Sequence, residues 1–242
     1  MNAEITYLFH SSFAVKTAEH FLIFDYTLDT PSGGGLSQGV IRPADLRGEN
    51  TAVFVSHRHP DHYSPRIFSW RAEIPKIRYL VSSDVHTREN VLPVSPGEKY
   101  SLGDMEVRTL RSTDLGVAFL VTVDGLHVYH AGDLNWWKWE DDTAGEGVRM
   151  ERAYKEQIDT LRGERLDLAF LPFDPRQGAN AMLGFDYFMR TVSPGFAVPM
   201  HSFGKTQFFS LLIIDPRAEA YRSRILFYRS RGEARKLPVP QG

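Results

Sequence analysis

The sequence predicts an α/β fold in one domain covering residues 1–242. Three observations carry that expectation. A chain of 242 residues buries a substantial core and is an ordinary length for a single domain. Short runs of β-branched and aromatic residues recur from end to end, with helical spacing between several of them. No internal repeat, low-complexity tract or linker interrupts them.

Taken in order, Ile5–Phe9, Ser12–Lys16 and Phe21–Asp25 read as a β-meander that builds a sheet before any helix. Thr30–Gly35 is a glycine-rich loop; no Lys-Ser/Thr follows it, so it is not a phosphate-binding P-loop. Pro43–Leu46 reads as a helical turn and Thr51–Val55 as a buried strand. Ser64 and Pro65 carry N-cap and first-turn signals for a helix reaching Trp70. Ile77–Val81 is the next strand, and Ser83 caps an expected helix from Asp84 to Asn90. Met105–Leu110, Val117–Val123 and Leu126–His130 read as strands, the last two joined by an Asp124-Gly125 hairpin turn. Asp141–Gly147 reads as a solvent loop and Met150–Arg162 as an amphipathic helix. Leu166–Pro172, helical Phe185–Thr191 and strand Phe196–Met200 complete the pattern.

The chemistry concentrates at Ser56-His57-Arg58-His59-Pro60-Asp61-His62, where the strand Thr51–Val55 runs out into a loop. In extended chain His57 and His59 project to one side. Pro60 turns the backbone, so that Asp61 and His62 face the same point from another direction. Imidazoles and a carboxylate converging this closely suit a divalent ion of the zinc type.

The pattern H-x-H-x-D-H resembles the metal-binding signature of the metallo-β-lactamase superfamily. His10-Ser11-Ser12-Phe13 resembles an element opening its ascorbate-phosphate lactonase-like branch, with Phe9 where glycine is usual. The resemblance implies a four-layer αββα sandwich with one or two metal ions at one edge of the paired sheets. It also implies that Asp133, in Gly132-Asp133, bridges two ions, and that His201, after Pro199-Met200, closes the ligand set. Gly132 suits a backbone passing close to the site. A further histidine usual in the superfamily is missing from Arg111–Gly116, where Asp114 is the residue able to replace it. If Asp114 substitutes, the implied sets are His57, His59 and Asp114 on one side and Asp61, His62, Asp133 and His201 on the other; if it points elsewhere, only the second set binds well. The expected cofactor is Zn²⁺, one or two ions, with Mn²⁺ or Fe²⁺ favoured by the added carboxylate.

The function these residues imply is metal-dependent hydrolysis of a small-molecule ester, lactone or phosphoester by a metal-activated water or hydroxide. Asp61 would orient or deprotonate the nucleophile. Candidate substrate contacts are His10, Trp136 in the cluster Trp136-Trp137-Lys138-Trp139, Arg176 in the loop after Leu166–Pro172, and Lys205. The alternatives are a non-catalytic metal-binding or regulatory protein of this fold with an impaired first site, and a redox enzyme. With no cysteine and no G-x-S-x-G, a covalent cysteine or serine route has no support. Lys+Arg 28 against Asp+Glu 30 gives a net charge of −2, which disfavours nucleic acid as a partner. After Leu211, seven Lys/Arg face three Asp/Glu, read as a solvated basic face. No apolar run is long enough for a membrane span, and with the cysteine count this favours the cytoplasm.

Overall fold

The computed structural model describes residues 3–237. The first sheet contains β1 (Glu4–Phe9), β2 (Ser12–Lys16), β3 (His20–Phe24), β4 (Asn50–Val55), β5 (Arg78–Ser82) and β6 (Leu92–Val94). The second contains β7 (Lys99–Leu102), β8 (Met105–Arg111), β9 (Val117–Val123), β10 (Leu126–His130), β11 (Leu168–Pro172) and β12 (Phe196–Met200). A last strand, β13 (Ala234–Lys236), returns to pair with β1, giving the order β13-β1-β2-β3-β4-β5-β6. The second sheet runs β12-β11-β10-β9-β8-β7. Strands β3 to β6 are parallel, as are β10 to β12; the hairpins in both sheets are antiparallel.

The strand period of two decides which side chains meet. In β4, Ala52 and Phe54 join the core between the sheets, while Val53 and Val55 belong to a second cluster on the outer face. Phe13 on Phe170 and Phe54 on Phe119, with centroids 4.6 and 5.2 Å apart, lock the sheets face to face. Helices α1 (Ala144–Asp159) and α2 (Met182–Thr191) cover the outer face of the second sheet, with Phe188 stacked on Tyr129 at 4.8 Å. The outer face of the first sheet is covered by 3₁₀ segments, Pro43–Leu46 and Pro65–Ala72, through Leu46, Ile67 and Trp70. The layers are thus those expected, with 3₁₀ turns in place of α-helices on one side.

Local chemistry accounts for the departures. Pro65 opens its segment as expected, but Ser64 makes no side-chain cap. The Ile67 carbonyl, which an α-helix would offer to residue 71, instead accepts from the Tyr79 hydroxyl at 2.7 Å. Residues 84–90 form no helix. The Asp84 carboxylate accepts from the Arg58 amide at 3.0 Å and Thr87 Oγ1 from the Glu89 amide, so side chains take up donors outside any helical ladder. Helix α1 starts at Ala144, within the segment expected to be loop. Thr143 Oγ1 accepts from the Glu146 amide and the Glu146 carboxylate accepts from the Thr143 amide, a capping box that decides the start. The short strands β6 and β7 are not among those expected: β6 contains Pro93, and the alternation of β7 runs over only four residues, Lys99–Leu102.

Candidate metal centre

Five parallel strand ends meet at one edge of the sandwich, where β3 exits into Asp25, β4 into Ser56-His57, β10 into Gly132-Asp133, β11 into Asp174 and β12 into His201. Carboxyl ends of parallel strands are where open α/β sheets place their ligands. The β1–β2 turn adds His10 and the β8–β9 turn adds Asp114. His10, Asp25, His201 and Phe203 all have positive φ, between 46° and 69°. Such backbone in non-glycine residues persists only where the surroundings enforce it, and here it clusters at the strand exits.

The backbone approach is close enough to require glycine twice. A Cβ on Gly132 would lie 2.6 Å from Ser56 Cβ, and one on Gly116 would lie 2.0 Å from the Ser56 carbonyl oxygen. Both have positive φ, at 51° and 68°. A reason for Gly132 is legible along the chain; the role of Gly116 is visible only in the packing against Ser56.

The side chains form two groups of potential ligands. One gathers His10, Asp61, His62 and His201; the other gathers His57, His59, Asp114 and Asp133. Asp133 joins them. Its Oδ1 is 3.1 Å from both His62 Nε2 and His201 Nε2, and its Oδ2 is 3.5 Å from His57 Nε2. His59 Nδ1 lies 3.0 Å from His57 Nε2 and 3.3 Å from Asp114 Oδ2. All seven residues expected as ligands are therefore brought together, Asp114 among them in the group of His57, His59 and Asp133. His59 and Asp114 are each 41% exposed, whereas His57, His62 and His201 are buried.

Hydrogen bonds from behind fix how these rings face. His62 Nδ1 donates to Asp25 Oδ2 at 2.8 Å, and His201 Nδ1 donates to Asp174 Oδ2 at 2.9 Å. Ser56 Oγ has a single proton, which it gives to Asp25 at 2.7 Å, so it accepts from His57 Nδ1 at 2.9 Å. Each of the three rings therefore turns the lone pair of Nε2 inward, the arrangement in which imidazoles hold metals. His62 Nε2, His201 Nε2 and Asp133 Oδ1 are buried and, although Asp133 Oδ1 lies 3.1 Å from each nitrogen, make no hydrogen bond of good geometry among the described residues. Buried polar atoms without partners are costly, and three converging on one point fit a cation.

The titration behaviour follows from the same arrangement. Burial pulls His62 down, but the Asp133 and Asp25 carboxylates outweigh it and hold the ring's pKa well above the usual value. His201 is raised in the same way, with Asp133 and Asp174 overcoming burial. Burial disfavours the charge of Asp133, yet His62 and His201 keep its carboxyl well below the usual range. Burial, reinforced by His62, lowers His57. Burial also brings His10 down to about 4. Positive charge is thus favoured at His62 and His201, beside Asp133, and disfavoured at His57 and His10.

A family model described as a beta-lactamase superfamily domain matches residues 4–136, more than half of the chain. The chain belongs to the β-lactamase superfamily. Among relatives of this superfamily member, a metal-dependent hydrolase of Opitutus terrae is 28% identical over 151 residues. That alignment spans 53% of this chain and 62% of the relative, less than two thirds of the relative's length. The metallo hydrolase Igni18 from Ignicoccus hospitalis is similar in fold, with a TM-score of 0.67 at 16% identity over 99% of this chain and 100% of the other. The metallo-β-lactamase fold protein YhfI of Bacillus subtilis superposes with a TM-score of 0.60 at 14% identity, over 98% of this chain and 100% of its own. The fold is the metallo-β-lactamase sandwich.

A cavity of about 430 Å³ opens over the superfamily centre, lined among others by Asp61, Asp133, Trp137, Trp139, Arg176 and His201. Of the substrate contacts expected from sequence, Arg176 lines it and Trp136 does not. Trp136 packs on the α1 and α2 side against Tyr154, Tyr187 and Lys155, and its neighbours Trp137 and Trp139 stack together at 5.7 Å to wall the cavity instead. Lys205 is exposed and lies outside the lining. His10 is buried against His201 and 3.3 Å from Asp61, part of the centre rather than of the outer wall. Sequence reasoning passed over Asp25 and Asp174. Each follows directly on a buried strand, as the histidines do, and that is the signal by which they could have been found.

Proposed function

We propose that this chain is a metal-dependent hydrolase acting on a small-molecule ester, lactone or phosphoester. The observation that carries the reading is the convergence of His62 Nε2, His201 Nε2 and Asp133 Oδ1, buried and without a well-formed hydrogen bond, beside a solvent-open cavity that Asp133 and His201 line. Asp61, His62, His201 and Oδ1 of Asp133 would hold one divalent ion; His57, His59, Asp114 and Oδ2 of Asp133 would hold a second. Zn²⁺ suits these imidazoles, and the carboxylate share makes Mn²⁺ or Fe²⁺ workable substitutes. A divalent ion held there lowers the pKa of water to about 7 and stabilises charge developing on an oxygen.

The chain's own residues do the remaining work. Asp61, 30% exposed at the cavity edge, orients the attacking water through a carboxylate oxygen. Burial opposes its charge, but the hydrogen bond from His10 and the positive charge of His62 depress its pKa strongly, so it is ionised at neutral pH. Arg176, held edge-on by Asp174, lies over the rings of Trp139 and Phe203 at 5.6 and 4.8 Å and presents its remaining N–H groups to anionic substrate groups. Trp137 and Trp139 supply an apolar wall.

A non-catalytic role rests on the exposure of His59 and Asp114, which would weaken the outer site. The experiment that separates the two is metal analysis of protein purified without added ions, followed by assays on lactone, phosphodiester and carboxylic ester panels with Zn²⁺, Mn²⁺ and Fe²⁺. Stoichiometric metal with metal-dependent turnover supports hydrolysis; protein without bound metal and without turnover refutes it. No helix among the described residues is long and apolar enough to cross a membrane.

A further inference from the structure

His10 stands with the metal-type ligands yet is wired in the opposite sense. Its ring is fully buried, 4.2 Å from His201 and 3.9 Å from Phe203 by centroids. Three backbone links fix it: His10 N–H donates to the Tyr7 hydroxyl at 3.0 Å, the His10 carbonyl accepts from the His201 amide at 3.2 Å, and Nδ1 accepts from the Phe203 amide at 3.0 Å. The last link decides the tautomer. A backbone amide can only donate, so Nδ1 presents its lone pair and the ring proton is on Nε2. His57, His62 and His201 each donate a proton from Nδ1 to a partner facing away from the centre. His10 Nε2 lies 3.3 Å from Asp61 Oδ2, its nearest carboxylate oxygen, and makes no hydrogen bond of good geometry among the described residues.

We infer that His10 is a positioning residue and not a metal ligand: its Nε2–H holds one oxygen of Asp61, so that the other lone pairs of that carboxylate serve the cavity. A neutral imidazole whose inward nitrogen is protonated has no lone pair there to give a cation. Of the four groups that converge on this half of the centre, three offer lone pairs and His10 offers a proton. The Phe203 amide, set by the positive φ of that residue, is the device that selects this tautomer.

The kinetic part of the test rests on the hydrolytic reading; the tautomer and metal parts do not, so a failure of one is distinguishable from a failure of the other. Long-range ¹H–¹⁵N correlation on the ¹⁵N-histidine-labelled metal-free protein should show His10 protonated on Nε2, and a proton on Nδ1 would overturn the inference. His10→Gln places an amide N–H near the Nε2 position, whereas His10→Leu removes the donor. Both variants should bind the same number of zinc equivalents as the parent by mass spectrometry of dialysed protein; loss of one equivalent in both would make His10 a ligand. With p-nitrophenyl acetate or bis(p-nitrophenyl) phosphate, whichever the parent turns over, His10→Leu should lower kcat about 10–100-fold with KM little changed. His10→Gln should recover most of that loss. Parental kcat in His10→Leu, or equal loss in both variants, would overturn the positioning role. If His10→Leu fails to fold, the labelled parent and His10→Gln still decide tautomer and stoichiometry.

Discussion

Replacing Asp174 by asparagine should weaken metal binding although Asp174 faces no ion. Its carboxylate is buried; Oδ2 accepts from His201 Nδ1 at 2.9 Å, while the same group accepts from the Arg176 side chain and, through Oδ1, from the Arg176 amide at 2.7 Å. Burial opposes its charge, but His201 and then Arg176 prevail and bring its pKa from 3.8 down to about 2. A preference of that size for the ionised form is worth about 2 kcal/mol, at about 1.4 kcal/mol per tenfold. Because the folded pKa is depressed, this stability is present above the unfolded value near 3.8 and lost as pH falls toward 2. Asparagine keeps the shape and one acceptor, but must turn an N–H toward either His201 or Arg176, both donors. The His201 ring then loses the partner that aims Nε2 inward, and metal affinity should fall about 10–100-fold. Competition with a chromophoric chelator at pH 7 reads this directly, with circular dichroism as the check on folding. A folded Asp174→Asn variant with parental affinity would refute the claim that the strand-exit carboxylates aim the ligands.

Other consequences follow from the same geometry. His59→Ala removes a half-exposed ligand of the outer group, so it should abolish activity and cost one zinc equivalent of two, with a stability change within about 0.5 kcal/mol. Parental metal content in that variant would count against the ligand assignment. Asp114→His should raise zinc affinity at the outer position, as titration with the same chelator would show. Gly132→Ala forces a Cβ to 2.6 Å from Ser56 at positive φ and should cost at least about 2 kcal/mol, lowering Tm by about 4–8 °C. His62 and His201 have raised pKa values, so the metal-free protein holds protons that an ion must displace. Affinity should therefore fall as pH falls, with protons released on binding, measurable by calorimetry in buffers of different ionisation enthalpy. The metal-free form should show the reverse trend from these two rings, keeping their contribution below about 6.5 and losing it as pH rises through their raised values.

Much of this protein is legible along the chain because its local signals agree. Runs such as Val117–Val123 and Phe196–Met200 announce strands by β-branching and apolarity, and a strand running into His57-Arg58-His59-Pro60-Asp61-His62 announces a metal by ligand density alone. Where local signals compete, the reading fails: Ser83 carries a helix N-cap signal for residues 84–90, but Asp84 is spent on the Arg58 amide. What the linear order determined was the inventory: the candidate ligands, the strands that carry them, and the carboxylate in the loop lacking a histidine.

Which atoms face the ions was decided only by folding. Asp25 lies 37 positions from His62, and Asp174 lies 27 from His201, yet these contacts set the tautomers of the two rings. His10 and Phe203 are 193 positions apart, and their single hydrogen bond turns what looks like another ligand into a donor. Proton placement on an imidazole depends on the partner of its far nitrogen, and such partners come from distant strand ends. Spacing along the sequence cannot encode that; the packing of two sheets against each other does.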